Sequence, residues 1–177
     1  MVARIVFTFI AVLILNSCIS EKSVSQDVPQ ASIEDFSFLL GSWNGSLEYL
    51  NFGDDKTLVT LPTRAVYSQE KDKISYAFIY TEPNGTEVNG QGTIAIESGD
   101  RVQYNGGSHT IVSKSVDADQ DVVEIKITQQ GMDNNREAQI DHVFERKGDV
   151  VSITRYILRE GATDPFVRHT YTFKLDE

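Results

Sequence analysis

Cysteine and the residues that usually mark metal or nucleophilic chemistry are scarce in this sequence. Cys18 is the only cysteine among 177 residues, which excludes an internal disulfide. The three histidines show no H-x-H or H-E-x-x-H spacing, and there is no C-x-x-C pair, which argues against a zinc site. No serine stands in the G-x-S-x-G pattern of a nucleophile elbow. The sequence therefore predicts no metal site and no catalytic residue.

Basic residues are outnumbered by acidic ones. The chain has 16 lysines and arginines against 26 aspartates and glutamates, a net charge of −10 at pH 7. Such a surface repels polyanions, so nucleic acid is excluded as a partner. Hydrophobic residues make up 40% of the chain, and its length suits one good core but not two domains.

The first long apolar run is too short for a permanent membrane helix. The stretch "IVFTFIAVLIL", residues 5–15, contains 11 residues of which only Thr8 is polar, whereas a spanning helix needs about 20. Its length is that of a signal-peptide core. The following "LNSC", residues 15–18, resembles the lipobox of bacterial lipoproteins. That resemblance implies a signal peptide over residues 1–17 and an acylated Cys18 as the first mature residue.

The segment after Cys18 is polar and rich in serine. "ISEKSVSQDVPQAS", residues 19–32, is typical of a flexible tether, so we expect a lipidated tether over residues 18–32. Removal of the signal would leave 15 basic and 26 acidic residues, a charge of −11 that anionic headgroups repel. We therefore predict an exported domain in the cell envelope, attached to a bacterial membrane through lipid alone. Which membrane and which face remain open, as does the oligomeric state.

The body of the chain, residues 33–177, is predicted to be one all-β domain. Ser32 and Asp35 form a weak capping box before a short helical turn from Ile33 to Leu40. Ten strands follow, separated by hairpin-length turns without crossover helices, which favours an antiparallel up-and-down barrel over a sandwich. The predicted strands are Ser42 to Leu50, Thr57 to Ser68, Lys73 to Thr81, Glu87 to Glu97, Arg101 to Tyr104, Ser108 to Val116, Asp121 to Gln129, Arg136 to Arg146, Val150 to Arg159 and Phe166 to Leu175.

The stretch "FSFLLGSW", with Gly41 and the only tryptophan, Trp43, resembles the start of lipocalins and related calycin barrels. The ten-strand count resembles the fatty-acid-binding and nitrobindin-like branch, and the whole domain resembles uncharacterised bacterial lipocalin-like lipoproteins. The resemblance implies that the helical turn closes one end of the barrel and that Trp43 packs inside it. It also implies a late-strand arginine, Arg155 or Arg168, across the Trp43 ring, and a small apolar ligand.

Aromatic residues supply most of the candidate ligand-binding positions. Three rings share one face of the strand from Lys73 to Thr81, and rings on other strands are also expected to face inward, where tyrosine gives apolar walls with hydroxyls that can orient a ligand. The alternative is that these rings simply fill the barrel. The candidates are Tyr76, Phe78, Tyr80, Tyr104, Tyr156 and Tyr171.

Two histidines and one arginine complete the candidate site. His169 is expected to face inward with Val167, Tyr171, Phe173 and Leu175, and the nitrobindin resemblance implies haem ligation there. The alternative is a core histidine hydrogen-bonded to a tyrosine. His142 shares a face with Ile140 and Phe144.

Arg155 lies on the predicted inner face of its strand, where a buried guanidinium needs a partner. The Trp43 ring is the favoured partner, with Glu124 or the acid head of a ligand as alternatives. Three functions follow: a barrel that binds a small hydrophobic or amphipathic molecule, a haem-binding or isomerase-type enzyme, or a ligand-free envelope protein.

Overall fold

A computed structural model describes residues 29–175 and shows a closed barrel of ten antiparallel strands behind one short 3₁₀ helix. Each strand pairs with its neighbours in sequence, and β1 pairs with β10 to close the barrel, which confirms the predicted fold class. No helix among these residues is long and apolar enough to cross a membrane. The helix spans Ile33–Leu39, and the strands are β1 Gly41–Leu50, β2 Leu58–Glu70, β3 Lys73–Thr81, β4 Glu87–Ser98, β5 Arg101–Tyr104, β6 Gly107–Asp117, β7 Val122–Asp133, β8 Arg136–Lys147, β9 Val150–Arg159 and β10 Phe166–Leu175.

The 3₁₀ helix closes one end of the barrel, which we call the floor. Its Phe36 and Leu39 are fully buried. The predicted capping box is present, since the Ser32 backbone N–H donates to Asp35 Oδ2 at 2.8 Å. The Trp43 ring N–H donates to the backbone oxygen of Leu39 at 2.7 Å, and the ring is buried. Trp43 therefore packs at the closed end, as expected.

The predicted arginine contact with Trp43 is wrong because of the strand register. Trp43 pairs with Leu175, so Arg168 stands seven residues further along β10, at about 23 Å. Arg155 is equally remote from the floor, since it pairs with His169. Both arginines lie toward the opposite end of the barrel, which we call the mouth.

The predicted inner face of β10 is wrong at both ends. The pairing of β10 with β9 shifts between Val167 and His169, which leaves Arg168 as an extra, unpaired residue, a β-bulge. Arg168 is consequently fully buried, whereas Val167 is 41% exposed. Leu175, at the strand end, is 55% exposed. Only the middle of the strand follows the expected alternation.

The segment 130–133 was expected in a loop but continues β7. Its residues pair with β8 up to Asp133 opposite Arg136. The turn is reduced to Asn134 and Asn135, whose φ angles are 49° and 62°. Two consecutive positive φ angles are typical of a tight two-residue hairpin, and asparagine tolerates them. The longer strand carries Asp133 to the mouth.

Candidate functional site

An internal cavity of about 160 Å³ lies between the floor and the mouth. Five of the predicted ligand-binding residues line it, together with residues of β2, β4 and the β5–β6 turn. The lining residues are Tyr67, Tyr76, Phe78, Gly90, Gln91, Tyr104, Asn105, Ile153, His169, Tyr171 and Phe173.

Two glycines on β4 make room for the rings of β3. Gly92 pairs with Tyr76 and Gly90 with Phe78 across the two strands. A Cβ at Gly90 would lie 2.1 Å from Phe78 Cζ, and one at Gly92 would lie 2.3 Å from the Tyr76 hydroxyl oxygen. Sequence reasoning missed these positions, although glycine inside a strand is a known signal of close approach.

Nearly parallel aromatic rings form two walls of the cavity. Along one wall, Phe78 stacks on Tyr76 with centroids 6.5 Å apart at 17°. Along the other wall, Tyr171 stacks on Phe173 with centroids 5.8 Å apart at 12°. Between the two walls, the ring centroids of Phe78 and Tyr171 are 5.7 Å apart. The cavity is therefore lined by aromatic side chains on two sides.

The hydroxyl groups at the cavity differ in their hydrogen bonding. The Tyr76 hydroxyl donates to Asn105 Oδ1, and the Tyr104 hydroxyl joins the same pair. The hydroxyls of Tyr67 and Tyr171 have no hydrogen-bond partner among the described residues. Burial raises the pKa of Tyr171 to about 12 and that of Tyr67 well above its usual value, so both stay protonated at neutral pH.

His169 lines the cavity as an uncharged ring. Burial, and then the charges of Arg155 and Arg168, lower its pKa to about 4. Its ring packs edge-on to Tyr171, with centroids 5.4 Å apart. His169 therefore offers the cavity one neutral imidazole at pH 7.

A group of polar side chains is buried beside the cavity without lining it. Arg155 pairs with His142 on one side and with His169 on the other. The rings of His142 and His109 are 5.4 Å apart, and His109 Nδ1 lies 3.0 Å from the Gly107 carbonyl oxygen. Within residues 29–175, His109 Nε2, His142 Nδ1 and Arg155 Nε are buried without a hydrogen-bond partner. We call Arg155, His142 and His109 the histidine–arginine cluster.

The partners predicted for Arg155 are not found among the described protein groups. Trp43 is at the floor, and Glu124 lies on the outer face of β7, since it precedes the inward-facing Ile125. No ion pair is formed by Arg155 within residues 29–175. Burial lowers the pKa of its guanidinium. Sequence reasoning missed buried His109, although its spacing of two from Ile111 places both on one face of β6.

Besides His142 and Arg155, two further candidates do not line the cavity. Tyr80 borders a separate pocket of about 270 Å³ at the mouth, which also touches Phe52, His169 and Tyr171. Tyr156 was expected to face inward, and this is wrong. It lies between Arg155 and Ile157 on β9, and strand alternation turns it to the outer face.

The mouth is closed on one side by a network of four charged residues that the sequence did not predict. Arg168 binds Asp133 and also Asp55, the latter at 2.8 Å. Arg159 binds the same aspartates, Asp55 at 2.7 Å and Asp133 at 3.0 Å. The Arg168 guanidinium also lies 4.6 Å from the Phe52 ring centroid. Two positive and two negative charges balance, so this mouth network fixes the β1–β2 loop to β7, β9 and β10.

No three histidine, cysteine, aspartate or glutamate side chains within residues 29–175 are placed to hold a metal ion.

Neither a protein-family model nor a curated protein matches the chain. Among solved structures, the crystal structure of Rv2717c from M. tuberculosis is similar, with a TM-score of 0.60 and 15% sequence identity. The match covers 84% of this chain and 99% of that chain. At this identity the likeness shows the fold, and the chain is therefore similar to Rv2717c in its barrel.

Proposed function

We propose that the barrel is a binding module that holds one small, largely apolar molecule in its aromatic cavity. The observation that carries this proposal is a partly open cavity of about 160 Å³ with stacked rings on two sides and, among the described residues, unpartnered hydroxyls on Tyr67 and Tyr171. A ring-sized ligand that buries about 150 Å² of apolar surface gains about 4 kcal/mol. The hydroxyls fix its orientation, because a buried hydroxyl is stabilised by a partner.

Native mass spectrometry of the protein purified from its own host tests this proposal. We expect a bound mass that survives gentle transfer and is lost on denaturation. The Gly90→Ala variant is the matched control, because Gly90 lines the cavity and a Cβ there overlaps the Phe78 ring, which must shift. Wild-type protein without any bound mass, and without affinity for any small probe, would show that the barrel is filled by its own side chains.

Membrane attachment through Cys18 is part of the same proposal. Cys18, like the signal peptide and most of the tether, lies outside the described residues. The "LNSC" motif supports acylation there, and two or more acyl chains suffice for stable anchoring. Cells fed labelled palmitate should label the wild-type protein in the membrane fraction, and Cys18→Ser should abolish the label. Label retained by Cys18→Ser would disprove the anchor.

Haem is the cofactor that the nitrobindin resemblance implies at His169. The donor fits, since His169 is neutral and lines the cavity. The cavity is too small for haem, because its volume of about 160 Å³ is below the ~300–1,000 Å³ of ordinary small-molecule sites. The ring centroids of Phe78 and Tyr171 are also only 5.7 Å apart across the cavity. We therefore propose no haem-dependent step. A Soret band on haem addition that disappears in His169→Ala would overturn this conclusion.

A further inference from the structure

We infer that the cavity takes an uncharged molecule with a single aromatic ring and one hydrogen-bond acceptor, an aryl ketone being the simplest example. This inference rests on the proposed binding function and narrows its ligand class. Four properties of the lining carry it: volume, shape, charge and the balance of donors.

The volume of the cavity limits the ligand to one ring. An engineered protein cavity of about 150 Å³ with apolar walls binds benzene. The cavity here is about 160 Å³, which suits one six-membered ring with a short substituent. A long acyl chain or a fused polycyclic molecule would have to displace the rings of Phe78 or Tyr171, which approach to 5.7 Å.

Shape favours a flat ligand. The Tyr76–Phe78 pair and the Tyr171–Phe173 pair are within 17° and 12° of parallel, so aligned aromatic rings line two sides of the cavity. Aromatic groups bind such surfaces in stacked or edge-on arrangements worth about 0.5–1.5 kcal/mol beyond their buried area. A saturated ring of the same size cannot make these contacts.

Charge is excluded by what lines the cavity. Its polar groups are phenols, the Gln91 and Asn105 amides, and the His169 ring, which is neutral at pH 7. Arg155 pairs with His169 across β9 and β10, but its side chain does not line the cavity. A carboxylate or ammonium group would therefore have no charged partner among the lining residues, and its burial costs far more than burial of a neutral polar group.

Donors without partners require an acceptor on the ligand. Tyr76 and Tyr104 are already joined to Asn105. Tyr67 and Tyr171 each retain a free hydroxyl donor among the described residues, and each lines the cavity. A carbonyl oxygen has two lone pairs and can accept from both. A purely apolar ring would leave both donors unsatisfied.

Three probes of similar size test the acceptor requirement and the charge requirement: acetophenone, ethylbenzene and benzoate. Affinities are measured by ligand-observed NMR on the purified full-length protein, with the same buffer and detergent in every sample. We expect acetophenone to bind about five- to ten-fold more tightly than ethylbenzene, since one net hydrogen bond contributes about that factor. Benzoate should bind more weakly than either at pH 7.5.

Variants assign the acceptor contact to named hydroxyls. Tyr171→Phe and Tyr67→Phe keep the ring and remove the donor, so each should reduce acetophenone affinity several-fold and leave ethylbenzene affinity unchanged. Tyr156→Phe is the matched control, because Tyr156 lies on the outer face of β9.

Each alternative outcome overturns a stated part of the inference. Equal affinity for acetophenone and ethylbenzene disproves the acceptor requirement, and tighter benzoate binding disproves the neutral ligand and points to Arg155. Both results leave the proposed binding function intact. If no probe binds but host-purified protein carries a larger molecule, the single-ring limit is wrong. If no probe binds and no mass is carried, the binding function fails as well.

Discussion

Acidification should destabilise the barrel through its buried histidines well before the carboxylates respond. Burial, together with neighbouring His109, His169 and Arg155, lowers the pKa of His142 from 6.5 to about 2. The pKa of His169 is lowered from 6.5 to about 4, and that of His109 is lowered by burial. His142 and His169 are therefore neutral in the folded barrel at pH 5, whereas both are largely protonated once unfolding exposes them.

Proton linkage gives the direction and the magnitude of the change in the free energy of unfolding. A histidine with a lowered folded pKa contributes its full stability above pH 6.5 and loses it as the pH falls toward the folded value. Between pH 7.5 and pH 5, His142 and His169 each lower the free energy of unfolding by about 2 kcal/mol. Each pH unit below the unfolded pKa of 6.5 contributes about 1.4 kcal/mol to this loss. The combined loss of about 4 kcal/mol is large beside a typical folding free energy of about 5–15 kcal/mol.

Carboxylates do not explain a loss in this window. The pKa values of Asp35, Asp55 and Asp141 are lowered from 3.8, so their contributions disappear below about pH 4. The Lys126 ion pair of Asp141, at 2.7 Å, holds that carboxylate ionised throughout the range. The interval from pH 6.5 to pH 5 therefore reports on the histidines.

Urea unfolding monitored by circular dichroism at pH 7.5, 6.5, 5.5 and 5.0 measures how the free energy of unfolding depends on pH. In His142→Phe the ring contact with Tyr104, now at 4.9 Å between centroids, can persist while the titrating group is gone. We expect the loss between pH 7.5 and pH 5 to fall by about 2 kcal/mol in this variant. The reasoning is refuted if wild-type stability changes by less than about 1 kcal/mol over that range, or if the variant keeps the full pH dependence.

Three further predictions concern the floor, the mouth and the cavity. Trp43→Ala should lose about 3–5 kcal/mol in urea unfolding, as truncation of a large core aromatic does, and Trp43→Phe should lose less; equal losses would contradict the packing role. Asp133→Asn should cost about 3–5 kcal/mol because it leaves Arg168 buried beside fewer charges, and a change below about 1 kcal/mol would show that the mouth network is not structural. Gly90→Ala should lower the melting temperature and abolish probe binding together, and normal binding would show that Phe78 moves aside without entering the cavity.

Local patterns predicted the barrel because each strand and turn carries its own signal. The β9 bounds, Val150–Arg159, match the prediction at both ends, since "KGD" marks the turn and alternation marks the strand. The end of β7 was placed too early because "QGMDNN" contains several turn residues, of which only Asn134 and Asn135 adopt the turn. A sequence shows that a turn is present more clearly than it shows which residues form it.

The candidate site was predicted only as far as alternation holds. Four of the five predicted residues that line the cavity lie on β3 and β10, which are regular there, and the fifth, Tyr104, ends β5. The mouth network joins residues up to 113 positions apart, Asp55 and Arg168 among them, and no local pattern predicts such a contact. No sequence pattern predicts the bulge on β10 either, because Arg168 has the position and polarity of an outward-facing strand residue.

The bulge has a consequence for how such barrels diverge. Arg168 is the one residue between Val167 and His169 without a partner on β9. Its deletion would leave Val167 outside and His169 inside, so the cavity wall would keep its register while the mouth network lost its central cation. A one-residue insertion or deletion at this point can thus add or remove the closure of the mouth without altering the binding cavity. Related chains aligned here should differ by a single-residue gap, and those with the gap should lack the paired aspartates.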